Sequence, residues 1–532
     1  MEVARDDAEV HGPMPHQELA KLAATVLQPG FVGTTAPDWV RRWLGEGLGG
    51  VALFARNVES PAQVAALTAQ LRAERPDVIV AIDEEAGDVT RFESRHGSSR
   101  PGNLALGAID DPELTEAVAR DLGYELAHAG ITLDYAPDTD VNSNPDNPVI
   151  GVRAFGAEPQ LVARHSAAFV RGIQDAGVAA CAKHFPGHGD TSVDSHHDVP
   201  LIDRDRAALD ACELLPFRAA IEAGVKVVMT GHLLVPAYDP ELPATLSRRI
   251  LTDLLRTELG FDGLIVTDGI EMQGVARKYG LAGATVRAIA AGADAICVGG
   301  GLAGEDTAIE LRDAIVAAVH NGTLPAERLY DAAARVGRLA AWTTAARRGT
   351  GVAAVPRSNG NGNGAKPQPG SAVGFDAARR AVRVTAADGA ASLPITGAAH
   401  VVEFAPPRNI AVGEETPWGV SAPLDDLRPG TTSIRLTESY LAELTDPAAT
   451  VLAGGDGRTL VLVVRDLHRH AWLADVITAV LARRPDAIVV EMGVPVTVLG
   501  GVHIATYGAT RACGRAAAEL IAGTPVPAPL AA

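Results

Sequence analysis

The chain has 532 residues, of which 47% are hydrophobic and 21% are charged, and its 65 acidic and 46 basic residues give a formal net charge of -19. This length predicts two or more domains, and the balance of apolar and charged residues is typical of a globular enzyme. The acidic excess disfavours a nucleic acid or an anionic membrane as the main partner.

Eight short apolar runs, each followed by polar residues, recur along the first 300 residues. They are AATVLQPGF (23–31), LGGVALFAR (48–56), PDVIVAIDEE (76–85), GITLDYAPDTD (130–140), GVAACAKHFP (177–186), AGVKVVMTGH (223–232), FDGLIVTDG (261–269) and AGADAICVGG (291–300). Such runs are typical of strands buried on both faces of a parallel sheet, and helix-forming stretches lie between most of them. The pattern predicts an α/β fold, a (β/α)8 TIM-type barrel over residues 1–345, with a doubly wound open sheet as the alternative.

The stretch RSNGNGNGAKPQPGSA (357–372) has almost no side chain to bury, and it marks a flexible Gly/Asn/Pro linker over 346–372. Five further apolar runs alternate with helix-like stretches after it and predict a smaller α/β sandwich domain over 373–532. They are AHVVEFAPP (399–407), TTSIRL (431–436), TLVLVVRDL (459–467), AIVVEMG (487–493) and HIATYG (503–508). This domain has no obvious catalytic cluster, so a structural role and a role at the rim of the substrate site both stay open.

The cysteines and the N-terminal residues favour a cytoplasmic location. The four cysteines are far apart, form no CxxC pair and have apolar neighbours, so free thiols in a reducing compartment are expected. The stretch MEVARDDAEVHGPMPHQ (1–17) has no apolar core typical of a secretion signal, and no apolar run reaches the roughly 18 residues that a membrane span needs.

Polar side chains stand at the C-terminal ends of several predicted strands. In a barrel of this type the loops at that end carry the active site, so we expect these side chains to line it. They are Asp83, Glu84, Asp138, Lys183, His184, His232 and Asp268.

The segment KHFPGHGDTSVDSHHDVP (183–200) contains four histidines, and three interpretations of it are open. A metal site is one, but Pro186 prevents the helix that would present His184 and His188 together, and no metal is expected. Proton transfer is another, because Asp194 lies two residues from His196 and can fix the imidazole tautomer. A polar surface turn is the third, and an Asp-x-His pair alone does not exclude it.

The same segment resembles the signature of the family 3 glycoside hydrolases, in their β-N-acetylglucosaminidase branch, nearly without a break over KHFPGHGDTSVDSH (183–196). The trailing α/β domain is similar to the second domain of two-domain members. Further blocks resemble the family in the expected order over about residues 20–345. They are ALFARN (52–57), AIDEEAG (81–87), YAPDTDVN (135–142), VIGVRAFG (149–156), VMTGH (228–232) and ATLSRRILTDLLRTELGFDGLIVTD (244–268).

The resemblance implies a retaining glycosidase that needs no cofactor. Asp268 matches the nucleophile that forms a covalent glycosyl-enzyme, His196 matches the general acid/base, and Asp194 matches its partner. The positions that match residues gripping the sugar hydroxyls are Asp83, Arg91, Arg153, Lys183 and His184.

The implied substrate is terminal β-linked N-acetylglucosamine on a small oligosaccharide, either a cell-wall muropeptide in peptidoglycan recycling or a chitin fragment. Phosphorolysis of the same bond is the alternative, because a neutral or cationic histidine would not repel inorganic phosphate as a carboxylate would. A non-catalytic sugar-binding protein is a third possibility, which the intact Asp268, Asp194 and His196 disfavour.

The block at the end of the third predicted strand departs from the family pattern. Where Gly-Gly-Arg is usual, the chain has Ala86-Gly87-Asp88. An anion in place of a cation is expected to change the local field near the pocket, with an effect on a loop contact or on the subsite beyond the first sugar.

Overall fold

The computed structural model describes residues 15–192, 199–302, 304–349, 370–387, 393–407, 409, 411–413 and 416–524. Eight parallel strands in the first part each fall within one of the eight predicted runs. They are β1 (Leu27–Pro29), β2 (Gly50–Leu53), β3 (Ile79–Ile82), β4 (Leu133–Asp134), β5 (Ala179–Phe185), β6 (Val227–Thr230), β7 (Leu264–Thr267) and β8 (Ile296–Val298).

The eight strands form a ring in chain order. Strands β2 to β7 make one parallel sheet, and β1 pairs in parallel with β8. A parallel bridge between Val266 and Ala295 joins β7 to the residue that enters β8, and β1 lies beside β2. This is the barrel that the sequence predicts, rather than the open sheet.

Helices surround the ring and follow the strands along the chain. They are α1 (His16–Thr25), α2 (Asp38–Glu46), α3 (Pro61–Glu74), α4 (Asn103–Ile109), α5 (Pro112–Ala129), α6 (Pro159–Asp175), α7 (Arg206–Ala211), α8 (Leu214–Glu222), α9 (Gln273–Tyr279), α10 (Leu281–Ala291), α11 (Glu305–His320) and α12 (Ala326–Gly349). A π-helical segment, Arg249–Glu258, lies between β6 and β7. Helices α3, α5 and α6 begin alike, with proline as first residue after a side chain that accepts a backbone N–H, which satisfies an otherwise unpaired donor.

Successive strand residues alternate between two cores, as the period of a strand requires. In β3, Val80 and Ile82 pack outward against the helices, whereas Ile79 and Ala81 pack into the interior of the barrel. Helix α12 contributes Val336 to that interior cluster, and the same side chain lies against Gly49 just before β2. Helix α12 therefore covers the amino ends of the strands and leaves the carboxyl ends for the site.

The second domain has a six-stranded sheet between two layers of helices. Its order is β11-β10-β12-β13-β14-β9, with all neighbours parallel except β9, which runs antiparallel to β14. The strands are β9 (Arg383–Ala386), β10 (Ala399–Ala405), β11 (Thr432–Thr437), β12 (Thr459–Val464), β13 (Ile488–Glu491) and β14 (Val502–Ala505). The helices are α13 (Ala372–Ala381), α14 (Ser421–Leu427), α15 (Glu438–Ala442), α16 (Pro447–Leu452), α17 (Ala471–Leu481) and α18 (Arg511–Ala522).

The predicted linker falls mainly on residues 350–369, which lie outside the described residues. Helix α12 continues to Gly349 and α13 begins at Ala372, so both ends of the predicted linker segment are helical. The domain limits taken from the sequence stay predictions. Within the described part of the chain, no helix has the length and apolarity to cross a membrane, and all four cysteines are free thiols.

Candidate active site

Asp83, directly after β3, is held between two cations. Its Oδ1 lies 2.5 Å from Nζ of Lys183 at the end of β5, and its Oδ2 lies 2.8 Å from Nη2 of Arg91. Burial alone would raise the pKa of this carboxyl, but the two cations outweigh burial and hold the pKa well below its ordinary value. Asp83 is therefore a fixed anion. Its side chain is 24% exposed, against 3% for Lys183, so the carboxylate is the part of the pair that reaches solvent.

Glu85 joins this pair to Arg153. It accepts two bonds from the Arg153 guanidinium, at 2.9 and 2.7 Å, and its Oε1 lies 2.6 Å from Nζ of Lys183. Burial would raise the pKa of Glu85, but Arg153 and Lys183 outweigh burial and lower the pKa. The same contacts raise the pKa of Lys183, against the effect of its burial. Both side chains are thus charged at neutral pH.

His184 is oriented by two further contacts. Arg153 Nη2 donates to its Nε2 at 3.3 Å, so Nδ1 carries the proton and donates to Asp140 Oδ2 at 2.8 Å. Asp140 also accepts the backbone N–H groups of His184 and His188, at 3.2 and 2.7 Å. The imidazole therefore has one tautomer and one direction.

Asp138 differs from its neighbours because its charge is poorly compensated. It is fully buried, and its Oδ2 lies 3.6 Å from Arg153 and makes no hydrogen bond to the described residues. Burial and then the nearby Asp140 raise its pKa well above the ordinary value. Asp138 thus favours the neutral acid, which can donate a hydrogen bond.

Asp268 follows β7, on the opposite side of the ring from Asp83. Its Oδ1 accepts the N–H of Gly269 at 2.7 Å, and the carbonyl of Gly269 accepts Nε2–H of the buried His232 at 2.9 Å. Asp83 and Asp268 each directly follow a strand of the parallel ring, so both lie at the carboxyl end of the barrel.

The loop after β5 is packed closely up to Thr191. A Cβ on Gly189 would lie 1.7 Å from the carbonyl oxygen of Val141, so only glycine fits there. His188 Nδ1 lies 2.9 Å from Thr191 Oγ1, and Asp190 accepts Arg204 Nε at 2.6 Å. These contacts hold the shape of the loop from His188 to Thr191. Residues 193–198, with the predicted Asp194 and His196, lie outside the described residues.

One group of side chains has the donors of a metal site. Ligand atoms of Asp138, Asp140 and His184 lie within 4.8 Å of one another. However, both nitrogens of His184 are used, Asp140 accepts three N–H groups, and the Arg153 guanidinium stands 3.6 Å from Asp138. His184 and Asp140 are thus committed to hydrogen bonds, and a resident cation already stands beside Asp138, so the group fits a divalent ion poorly.

The structure thus brings Asp83, Arg91, Lys183, Arg153 and His184 into one network, while their roles toward a sugar stay predictions. Sequence reasoning missed the importance of Glu85, which the network shares, and of Asp140, which orients His184. The spacing Asp138-x-Asp140 after β4 was a usable signal, because alternate residues at a strand end point to the same side. The contact of Arg91 Nη1 with the carbonyl of Ala411 in the second domain, at 3.1 Å, had no such signal.

Comparison with known proteins supplies the family. A family model described as the glycosyl hydrolase family 3 N terminal domain matches residues 29–339. The chain belongs to glycosyl hydrolase family 3. It is 42% identical over 259 residues to a β-hexosaminidase of Nitrosomonas eutropha, a match that covers 47% of this chain and 73% of that protein. It is 40% identical over 268 residues to β-hexosaminidase A of Pseudoalteromonas piscicida, over 46% of this chain and 45% of that longer relative.

Among solved structures, this family 3 chain is similar to a family 3 β-N-acetylglucosaminidase from Paenibacillus sp. The TM-score is 0.84 at 34% identity, over 96% of this chain and 97% of that one. The similarity therefore includes the second domain, and the predicted family and fold are confirmed. The names of these relatives support the predicted class of enzyme, a β-N-acetylhexosaminidase.

Proposed function

We propose that the protein is a retaining β-N-acetylhexosaminidase that removes terminal β-linked N-acetylglucosamine. The observation that carries the proposal is the buried network of Asp83, Lys183, Glu85 and Arg153 at the carboxyl end of the barrel. Such a network offers fixed acceptors and donors to several adjacent hydroxyls at once, which suits a sugar ring. Family membership and the names of the relatives support the same reaction.

In the proposed mechanism, Asp268 attacks the anomeric carbon while protonated His196 gives its proton to the leaving glycosidic oxygen. His196 then takes a proton from water, and that water attacks the glycosyl-enzyme and releases Asp268. Asp194 would stabilise the imidazolium. The hydrogen-bond chain from His232 through Gly269 supports Asp268 in this role, because it fixes the direction of the carboxylate.

Substrate binding is assigned to the network. Asp83, whose charge Lys183 and Arg91 maintain, would accept hydrogen bonds from two sugar hydroxyls, and Arg153 and His184 would complete the pocket. Because Lys183 and Arg153 are already fixed by Glu85, binding the sugar orders few additional side chains.

We further propose that the substrate is a muropeptide of peptidoglycan recycling or a chitin-derived oligosaccharide, cleaved in the cytoplasm. The four free thiols are in keeping with a reducing compartment. Phosphorolysis is not favoured, since the relatives reported above are named as hexosaminidases. The test below therefore compares the products formed with and without inorganic phosphate.

The test is product analysis on chitobiose and on a muropeptide, with and without phosphate. We expect free N-acetylglucosamine in both buffers, and N-acetylglucosamine 1-phosphate as the main product would overturn hydrolysis. A slow fluorinated substrate should leave a covalent adduct on the peptide that contains Asp268. Asp268→Asn should lose at least about 10³-fold in kcat. Asp262→Asn, an exposed position just before the same strand, serves as the matched control.

A further inference from the structure

The loop after β3 carries the two carboxylates of the network, Asp83 and Glu85, together with the cation Arg91, and it reaches toward the second domain. We call residues 83–92 the β3 loop. Its turn is closed by a hydrogen bond from Glu85 N to Val89 O at 3.1 Å, with Ala86 and Gly87 at φ values of 54° and 91°. Asp88 stands at the tip of this turn.

Asp88 lies in a socket that the second domain provides. Its Oδ2 is 2.6 Å from Nη2 of Arg465, and its Oδ1 accepts the backbone N–H of Ala509 at 2.7 Å. The side chains of Asp88 and Arg465 are 3% and 10% exposed, so the pair is shielded from water and from salt. The guanidinium of Arg465 also stacks over the ring of Trp418, 5.2 Å from its centroid.

The socket lies at the carboxyl edge of the second domain's sheet, where sheets of this kind bind ligands. Arg465 directly follows β12, and Ala509 precedes α18, so both lie at the carboxyl edge of the sheet. The strand order reverses between β10 and β12, and open α/β sheets bind ligands in the crevice outside such a reversal. Here a carboxylate of the barrel fills that place, and the remaining cavity of about 10 Å³ holds at most one water.

The same loop is held a second time, three residues further on. Arg91 donates to the carbonyl of Ala411 in the second domain at 3.1 Å and to Asp83 at 2.8 Å. Nearby, Asn409 Nδ2 donates to the carbonyl of Val149 at 2.5 Å, and Arg153 donates to that same carbonyl. The second domain thus contacts the supports of the sugar network on two sides.

We propose that Asp88 and Arg465 are positioning residues through which the second domain sets the place of Arg91 and Asp83, and thereby the affinity for the sugar. This inference rests on the proposed function, because it takes Asp83 as a sugar-binding residue. An arginine at position 88 would face Arg465 with a like charge and could not use this socket.

The decisive variant is Asp88→Asn, assayed with a nitrophenyl N-acetyl-β-glucosaminide. We expect KM, and the inhibition constant of free N-acetylglucosamine, to rise roughly 10- to 100-fold, the value of one charge-assisted hydrogen bond in the pocket. We expect kcat to stay within about threefold, since Asp268 is untouched. A residue that only stabilised the fold would lower the active fraction and leave KM unchanged.

Two further variants separate positioning from folding. The exchanged pair Asp88→Arg with Arg465→Asp restores the ion pair but leaves the N–H of Ala509 without its acceptor, so it should recover part of the affinity that Asp88→Arg alone loses. In Asp88→Ala, added formate should restore affinity by occupying the space beside Arg465 and the N–H of Ala509. Arg380→Gln is the matched control, because it breaks another ion pair between the domains, with Asp111 at 2.7 Å, away from the β3 loop.

The inference is overturned if KM changes less than twofold in Asp88→Asn, or if Arg380→Gln raises KM equally. It can also fail separately from the proposed function. Hydrogen exchange at the amides of Arg91 and Phe92, which both donate to Glu84, reports the order of the loop without any substrate. Asp88→Asn should speed this exchange at least tenfold. Unchanged exchange refutes the inference, whereas a wild-type protein that cleaves no N-acetylglucosaminide refutes the function.

Discussion

Two neighbouring glutamates should respond in opposite ways to the same isosteric change. Glu85 is buried and charged, with three contacts from the cations Arg153 and Lys183. Glu85→Gln keeps the shape but removes the charge from between these cations. Breaking a buried ion pair by neutralising one partner costs roughly 3–5 kcal/mol. Because the freed cations are those assigned to the sugar, we expect kcat/KM to fall by at least about 100-fold.

Glu84 is the matched control, one position earlier. Its Oε2 accepts the hydroxyl of Thr90 and the N–H groups of Arg91 and Phe92, at 3.1, 2.6 and 2.9 Å. Burial raises its pKa to about 7. A glutamine carbonyl can accept the same bonds, and the native side chain is already half protonated near pH 7. We therefore expect kcat/KM of Glu84→Gln to stay within about threefold of wild type at that pH.

The sign of the pH effect follows from the raised pKa of Glu84. Its stabilising contribution is complete below its ordinary pKa of 4.5 and is lost as the pH rises through about 7, with a total of about 3 kcal/mol. Thermal midpoints measured from pH 5 to 8 should therefore decline less in Glu84→Gln than in the wild type. The reasoning is refuted if Glu85→Gln retains kcat/KM within threefold, or if Glu84→Gln and Glu85→Gln lose activity equally.

Three further outcomes are expected. Burial, and then Asp466, raises the pKa of Glu491 in the second domain to about 8. Stability should thus fall as the pH rises toward 8, and urea midpoints should show a flatter profile for Glu491→Gln; identical profiles would contradict this. Burial lowers the pKa of His188 to about 4, so the histidine stays neutral from pH 5 to 8. His188→Gln should therefore leave the shape of the pH–rate profile unchanged. A shift of either limb of that profile would contradict this prediction. Exhaustive chelation should leave kcat unchanged, and loss of activity that added zinc restores would contradict the assignment of Asp138, Asp140 and His184 to hydrogen bonds.

The barrel could be predicted from the sequence because its strands are buried on both faces. Each strand therefore appears as an apolar run that ends in polar residues, and the run at 261–269 predicts both β7 and the position of Asp268. Strand β9 was missed, since all four of its residues are exposed and its sequence RVTA carries no apolar pattern. It is held by antiparallel pairing with β14, a contact far away in the sequence.

The site could be predicted only as far as local patterns reach. Residues at strand ends, such as Asp83 and Lys183, share an edge because parallel strands end together. The sharing of Glu85 between Lys183 and Arg153 depends on side-chain directions that strand positions do not determine. Asp88 was expected to change the field near the pocket, with an effect on a loop contact or a subsite, but its partner Arg465, 377 positions later in the chain, could not be read from the sequence. No local pattern contains such a distant pairing.

Helix α12 covers the amino ends of the strands, and this limits the route by which substrate enters the site and product leaves it. Val336 and its neighbours fill the interior of the barrel beneath the site, so among the described residues the amino ends of the strands offer no opening for a sugar. In the proposed reaction, the released monosaccharide must leave through the mouth by which the next chain end enters. Product and substrate therefore compete for the same opening. The enzyme must release the monosaccharide before it binds the next chain end, so the proposed reaction is not processive.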